Sequence, residues 1–135
     1  MIDANIIISA GLFPKSIVGK VFAHVVKNHE LVICQYTLNE LEKVFKNKFS
    51  ERIEYLRKFV RRLKYELVDV EIINYENYPK IRDNDDMPLL ACAIETKVNI
   101  LITGDKDFDE IMIKNPKIMK PREYIEEYMG LFAAR

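Results

Sequence analysis

The chain opens on an apolar stretch, Ile2 to Ile8, interrupted by Asp3 and Asn5. It predicts a strand running into a turn at Ser9-Ala10-Gly11, with only Met1 and Ile2 ahead of Asp3. Ser16 then precedes Ile17, Val18, Val21, Phe22, Val25 and Val26 at helical spacing, so a helix opens there. Leu31 to Cys34 is a short apolar run of strand type. Thr37 and Glu40 form a capping-box pattern, and the helix it opens carries Leu38, Leu41, Val44 and Phe45 on one face. After Ser50, a further helix turns Ile53, Leu56, Val60 and Leu63 inward and its basic residues outward. Leu67 to Val70 predicts a third strand, and the polar stretch Asn74 to Asn84, with Pro79, a connecting loop. From Asp86 to Lys97 a helix is apolar nearly all round, through Leu89, Leu90, Ala91, Cys92, Ala93 and Ile94, and is therefore buried. Asn99 to Ile102 is a fourth strand ending in Thr103-Gly104-Asp105. Ile118-Met119 is a weak fifth strand, and Pro121 opens a last helix as a favoured first-turn residue.

Strands alternating with helices imply right-handed crossovers and a parallel sheet covered on both faces, a three-layer α/β/α arrangement. There is no internal repeat, low-complexity segment or linker, so residues 1–135 are read as one domain. The composition, 49% apolar and 31% charged, is that of a globular protein. No apolar run approaches the ~20 residues that cross a bilayer, and acidic Asp3 stands where a signal peptide has its basic region. A cytoplasmic protein without membrane contact is the expectation. Cys34 and Cys92 lie in apolar stretches and read as small buried hydrophobes rather than a disulfide framework.

Net charge identifies no partner, since 21 basic residues balance 21 acidic ones, but the charges are segregated. Basic residues from Lys43 to Lys64 crowd the middle of the chain, and Asp83, Asp85, Asp86, Asp105, Asp107, Asp109 and Glu110 crowd the later part. That pattern fits an acidic site beside a basic surface, and equally a solvated helix face.

Sites in open α/β sheets form beyond the carboxyl ends of strands. Asp3 ends the first strand and Asp105 follows the fourth; Glu40 begins the helix after strand two and Asp86 the helix before strand four. All four can reach one rim. Each also has a plain structural reading: N-cap for Asp86, capping-box partner for Glu40, turn residue for Asp105, surface for Asp3. Those readings leave the shared location unexplained. Carboxylates gathered at one rim repel unless a cation neutralises them, and an all-oxygen set suits Mg²⁺ or Mn²⁺ rather than zinc. His24 and His29 fall far from this rim and are read as structural or surface residues.

Four blocks then bear a resemblance: Ile2 to Ala10, Glu40 on its helix, Ile81 to Asp86 before Leu89 to Ala93, and Leu101 to Phe108. In this order and spacing they resemble the PIN-domain family, in particular its toxins of toxin–antitoxin systems, related to VapC-type ribonucleases. The resemblance implies a metal-dependent endoribonuclease on a sheet of about five parallel strands, order 3-2-1-4-5. Position by position, it matches Asp3, Glu40, Asp86 and Asp105 to the family's acidic quartet, with Asp3, Asp86 and Asp105 as metal ligands. Asn5 and Thr103 match supporting polar residues, and Asp107 a further acid. Ala4 departs from the family's usual Thr, which touches the hydrogen bonding around Asp3.

What this implies is hydrolysis of RNA phosphodiesters with one or two Mg²⁺ or Mn²⁺ ions. Arg57, Arg61 and Lys64 share a helical face and are candidates for holding RNA phosphates, with Lys15 and Lys106 as alternatives nearer the rim. The resemblance leaves an antitoxin protein and a second copy of the chain as candidate partners, and Tyr128, Met129, Leu131 and Phe132 are read either as a dimer contact or as packing on the protein's own sheet. A housekeeping PIN nuclease and a non-catalytic PIN-like nucleic-acid-binding module are the competing readings.

Overall fold

A computed structural model describes residues 1–72 and 74–130. Among the described residues, six α-helices and four strands follow in order, with short 3-10 turns between them and a π-helical turn at Ile125–Met129 after the last: α1 (Ala4–Leu12), α2 (Ile17–Asn28), β1 (Val32–Cys34), α3 (Gln35–Lys48), α4 (Ile53–Arg62), β2 (Glu66–Val68), α5 (Met87–Glu95), β3 (Ile100–Ile102), β4 (Lys117–Met119) and α6 (Pro121–Tyr124). Leu131 and Phe132, offered above for a dimer contact, lie outside the described residues.

The first departure from the sequence reading is at the start. Ile2 to Ile8 is not a strand: only Ile2 bridges Ile102, in parallel, and α1 begins at Ala4. A short apolar stretch does not by its periodicity distinguish a buried strand from a buried helix. Asp3 decides the matter locally, because its Oδ1 accepts the Ile6 backbone N–H at 3.0 Å and caps the helix. Around the corner, Ser16 caps α2 through Gly19 N–H at 3.0 Å, as its position predicts. Gly19 itself permits a close approach, since a Cβ there would lie 2.5 Å from the Phe13 carbonyl oxygen.

β1 pairs with β2 and β3 with β4, both in parallel, and the Met1–Asp3 segment continues the second pair through Asp3 N–H to Ile102 O (3.2 Å) and Ile102 N–H to Met1 O (2.9 Å). Numbering the expected strands one to five, the pairings present are 3-2 and 1-4-5. Among the described residues no ladder joins strand two to strand one, so the full five-strand order is not formed as hydrogen-bonded sheet.

Alternation along each strand separates two cores. Ile33 and Ile102 face a cluster with Ile6, Ile7, Val21, Phe22, Leu41 and Leu56, built by α1 to α4. Cys34 and Leu101 face the other, with Leu89, Leu90, Cys92 and Phe108, built around α5. The apolar circumference of α5 fits its burial, and Leu90, Ala91 and Ala93 are fully enclosed. Here the reading of the cysteines is corrected: Cys34 and Cys92 are buried as expected, but joined in a disulfide with Cα atoms 6.8 Å apart. The packing of α5 on the end of β1 makes the pair, and 58 residues of separation hide it in the sequence.

The capping-box expectation also fails. α3 begins at Gln35, after Cys34, and Thr37 is buried within it. The Glu40 carboxylate is thereby released from a capping role.

Candidate metal centre

Asp3, Asn5, Glu40, Asp86 and Asp105 line a single cavity of about 100 Å³, walled by Tyr36, Thr37 and Phe108. The residues come from four places: the N-cap of α1, the second turn of α3, the entry to α5 and the turn after β3. The expected quartet is thus brought together, with Asn5 beside it.

Asp3 is buried, at 8% exposure. Thr103, also buried, donates its hydroxyl to Asp3 Oδ2 and accepts the Asp105 backbone N–H at 3.1 Å, linking the two acids. Burial pushes the Asp3 carboxyl above its ordinary range; the Thr103 and Ile6 donors oppose this, and the Asp105 charge adds to it. Asp105 also accepts the Asp107 N–H at 2.9 Å, so its turn role and its cavity role coexist.

Asp86 occupies the N-cap position of α5 but makes no side-chain capping bond. Asp83 does the local capping, accepting the Asp85 N–H at 3.0 Å at the head of the 3-10 turn Asn84–Asp86. Burial first, then the charges of Asp105 and Asp83, drive the Asp86 carboxyl up to about 7. Its Oδ2 is buried without a hydrogen-bond partner. A native protein rarely leaves a carboxylate oxygen in that condition.

The sequence reading missed two residues at this rim. Asp83, read there only as part of the connecting loop, lies with Asp86 and Asp107 such that one carboxylate oxygen from each falls within 4.8 Å of the others. Asp107 is steadied by Arg82 Nε at 2.8 Å. Tyr36 lies one helical turn before Glu40, a spacing that could have flagged it. Its hydroxyl donates to the Asp85 carbonyl at 2.7 Å, and burial with the nearby charges of Glu40 and Asp86 pushes its pKa up to about 12.

The donor set fits a hard divalent cation. It is all oxygen, carboxylate-rich and contains an orphaned buried Oδ2, and the two histidines lie elsewhere, packed around Tyr124.

The basic candidates separate. Lys106 is exposed beside Asp105, and Lys15 is exposed in the α1–α2 turn. Arg57 is bound by Glu42 and Glu54 and so clamps α4 to α3. Arg61 lines a groove with Leu38, Phe45 and Tyr65 away from the acids, and Lys64 is exposed after α4.

An α/β domain with an acidic cavity at the carboxyl ends of parallel strands defines the class. Comparison with known proteins gives the family. The PIN-domain family profile matches residues 1–107, and the chain belongs to the PIN-domain family. It is 33% identical to the uncharacterized protein MJ1680 of Methanocaldococcus jannaschii, over 95% of this chain and 90% of that protein. The fold is similar to a chain in the crystal structure of VapBC2 from Rickettsia felis bound to a DNA fragment from their promoter. That match has a TM-score of 0.64 at 21% identity and covers 88% of this chain and 95% of the other.

Proposed function

We propose that the chain is a Mg²⁺- or Mn²⁺-dependent endoribonuclease that acts in the cytoplasm as the toxin of a toxin–antitoxin pair. The observation that carries the reading is the convergence of Asp3, Glu40, Asp86 and Asp105 on one cavity, with Asp86 Oδ2 buried and unpartnered. Asp3, Asp86 and Asp105 would hold the cation, with Asp83 and Asp107 close enough to Asp86 to share it. When bound, the cation supplies an acidified water and offsets charge on the phosphate.

The remaining work falls to the chain. Glu40, free of capping, accepts a proton from the attacking water or orients it. Thr103 fixes Asp3 in place, and Asn5 at the cavity mouth offers an amide to the scissile phosphate. Lys106, exposed at the rim, attracts the flanking phosphate. The role of toxin, with an antitoxin partner and a second copy of the chain, draws on the likeness to VapBC2.

Purified protein is expected to cleave single-stranded RNA with Mn²⁺ or Mg²⁺. Chelator, Asp3→Ala or Asp86→Ala should reduce cleavage by roughly 100-fold or more. Undiminished cleavage by Asp86→Ala would overturn the site assignment. Growth arrest on expression, relieved by a neighbouring gene product, tests the role of toxin.

A further inference from the structure

A second cavity, of about 330 Å³, adjoins the acidic one, and Asp105 and Phe108 border both. It opens at the carboxyl ends of β3 and β4, where Thr103 and Lys120 follow the strands. Its apolar wall is Phe108, Ile111 and Ile118, and its rim carries Asp109, Lys120 and Glu123. The volume is at the lower end of ligand pockets and suits one planar ring system with little around it.

The rim has a readable hydrogen-bond pattern. Lys120 Nζ pairs with Asp109 Oδ1 at 3.1 Å, which sets a donor beside an acceptor. Glu123 Oε1 accepts the Lys120 backbone N–H at 3.0 Å, which holds a second carboxylate at the edge. With Asp105, three carboxylates face one ammonium, so a phosphate is disfavoured inside this cavity. A neutral ring presenting more donors than acceptors is favoured, because ionised carboxylates only accept.

We propose that this cavity is a base-recognition subsite that takes guanine from the nucleotide next to the scissile phosphate. The inference rests on the ribonuclease reading above. The Watson–Crick edge of guanine offers O6 to the Lys120 ammonium, and N1–H and N2–H to the Asp109 and Glu123 carboxylates. Uracil turns a carbonyl oxygen toward the position where guanine carries its amino group, and that oxygen meets a carboxylate. Ile111 and Ile118 pack on the ring face beside buried Phe108, in place of the aromatic platform on which single-stranded RNA readers stack splayed bases. Because Asp105 borders both cavities, a base in one brings its own phosphate to the acids of the other.

The test uses the full chain with Ca²⁺ present to neutralise the acids, and three pentaribonucleotides, UUGUU, UUIUU and UUUUU, where I is inosine. NMR of isoleucine methyl groups reads binding without turnover. UUGUU should shift the Ile111 and Ile118 methyls and bind at least about fivefold tighter than UUUUU, while UUIUU, lacking the 2-amino group, falls back toward UUUUU. Glu123→Gln keeps an oxygen for the Lys120 N–H, so it should melt as the parent does and lose the preference for G over I. Asp109→Asn serves as the second variant. Equal binding of the three oligonucleotides, or a preference untouched by both variants, would overturn the subsite. If RNA is cleaved with Mn²⁺ and no such preference exists, the ribonuclease reading stands and the subsite falls. If the preference exists and nothing is cleaved, the reverse holds.

Discussion

Asp86 is where the local chemistry concentrates. It is common to the expected quartet and to the trio with Asp83 and Asp107, and its proton affinity is raised by burial and by neighbouring acids. In the unfolded chain this carboxyl ionises near 3.8; in the folded, metal-free protein it keeps its proton to about 7. Between those values the native state binds more protons than the unfolded one. The stability contribution is therefore fully present below about pH 4 and lost as pH rises through about 7. Asp3 shifts in the same direction. Metal-free protein should accordingly melt at a lower temperature at pH 8 than at pH 5, and Asp86→Asn should flatten that slope. A wild-type slope unchanged by Asp86→Asn would contradict the raised affinity. Lys106 and Arg57 make a second comparison at this scale. Lys106→Ala should weaken RNA binding and reduce its salt dependence by about one ion, whereas Arg57→Ala, whose donors Glu42 and Glu54 already take, should leave RNA affinity unchanged and lower the melting temperature.

At the scale of elements, the disulfide ties the head of α3, which carries Glu40, to α5, which Asp86 precedes. Closing a loop of 58 residues stabilises the chain by about 4 kcal/mol in the loop-entropy account. A Cys34→Ser, Cys92→Ser protein should be destabilised by about that amount in urea titration, and oxidised protein unfolded in denaturant should show no thiol reactive to a chromogenic disulfide. Free thiols in that assay would refute the bond. Disulfides are uncommon in reducing cytosol, so the proposed location entails that burial shelters the pair or that it is reduced there. The elements also show what a sequence makes legible. α2, with its Ser16 cap, and the all-round apolar α5 were readable because local periodicity determines them. The strands β1, β3 and β4 were readable as short apolar runs between turns, whereas β2 lies at Glu66–Val68 rather than at Leu67 to Val70. α1 was not, because an isoleucine-rich run satisfies strand and buried helix alike, and the capping bond that Ile6 N–H donates to Asp3 settles it. The α3 start failed for a similar reason: Thr37 and Glu40 fit a box that tertiary burial of Thr37 replaces.

For the whole molecule, two cores on opposite faces of the strands hold the carboxyl ends of β1 and β3 at one rim. That is why acids separated by up to 102 positions, Asp3 and Asp105, share a cavity. Their convergence was legible because motif order and strand polarity together specify it. The Asp83 contribution, the Tyr36 wall and the Cys34–Cys92 bond were not, since each depends on packing across distant segments. No single helix among the described residues is long and apolar enough to cross a membrane. Every role proposed at this rim requires that the acids hold a divalent cation. Crystals soaked in Mn²⁺ and measured at the manganese edge test it most directly. The predicted result is an anomalous peak within coordination distance of Asp86 and at least one of Asp3 and Asp105, absent from Asp86→Ala crystals. A wild-type map with no peak at these carboxylates would contradict it.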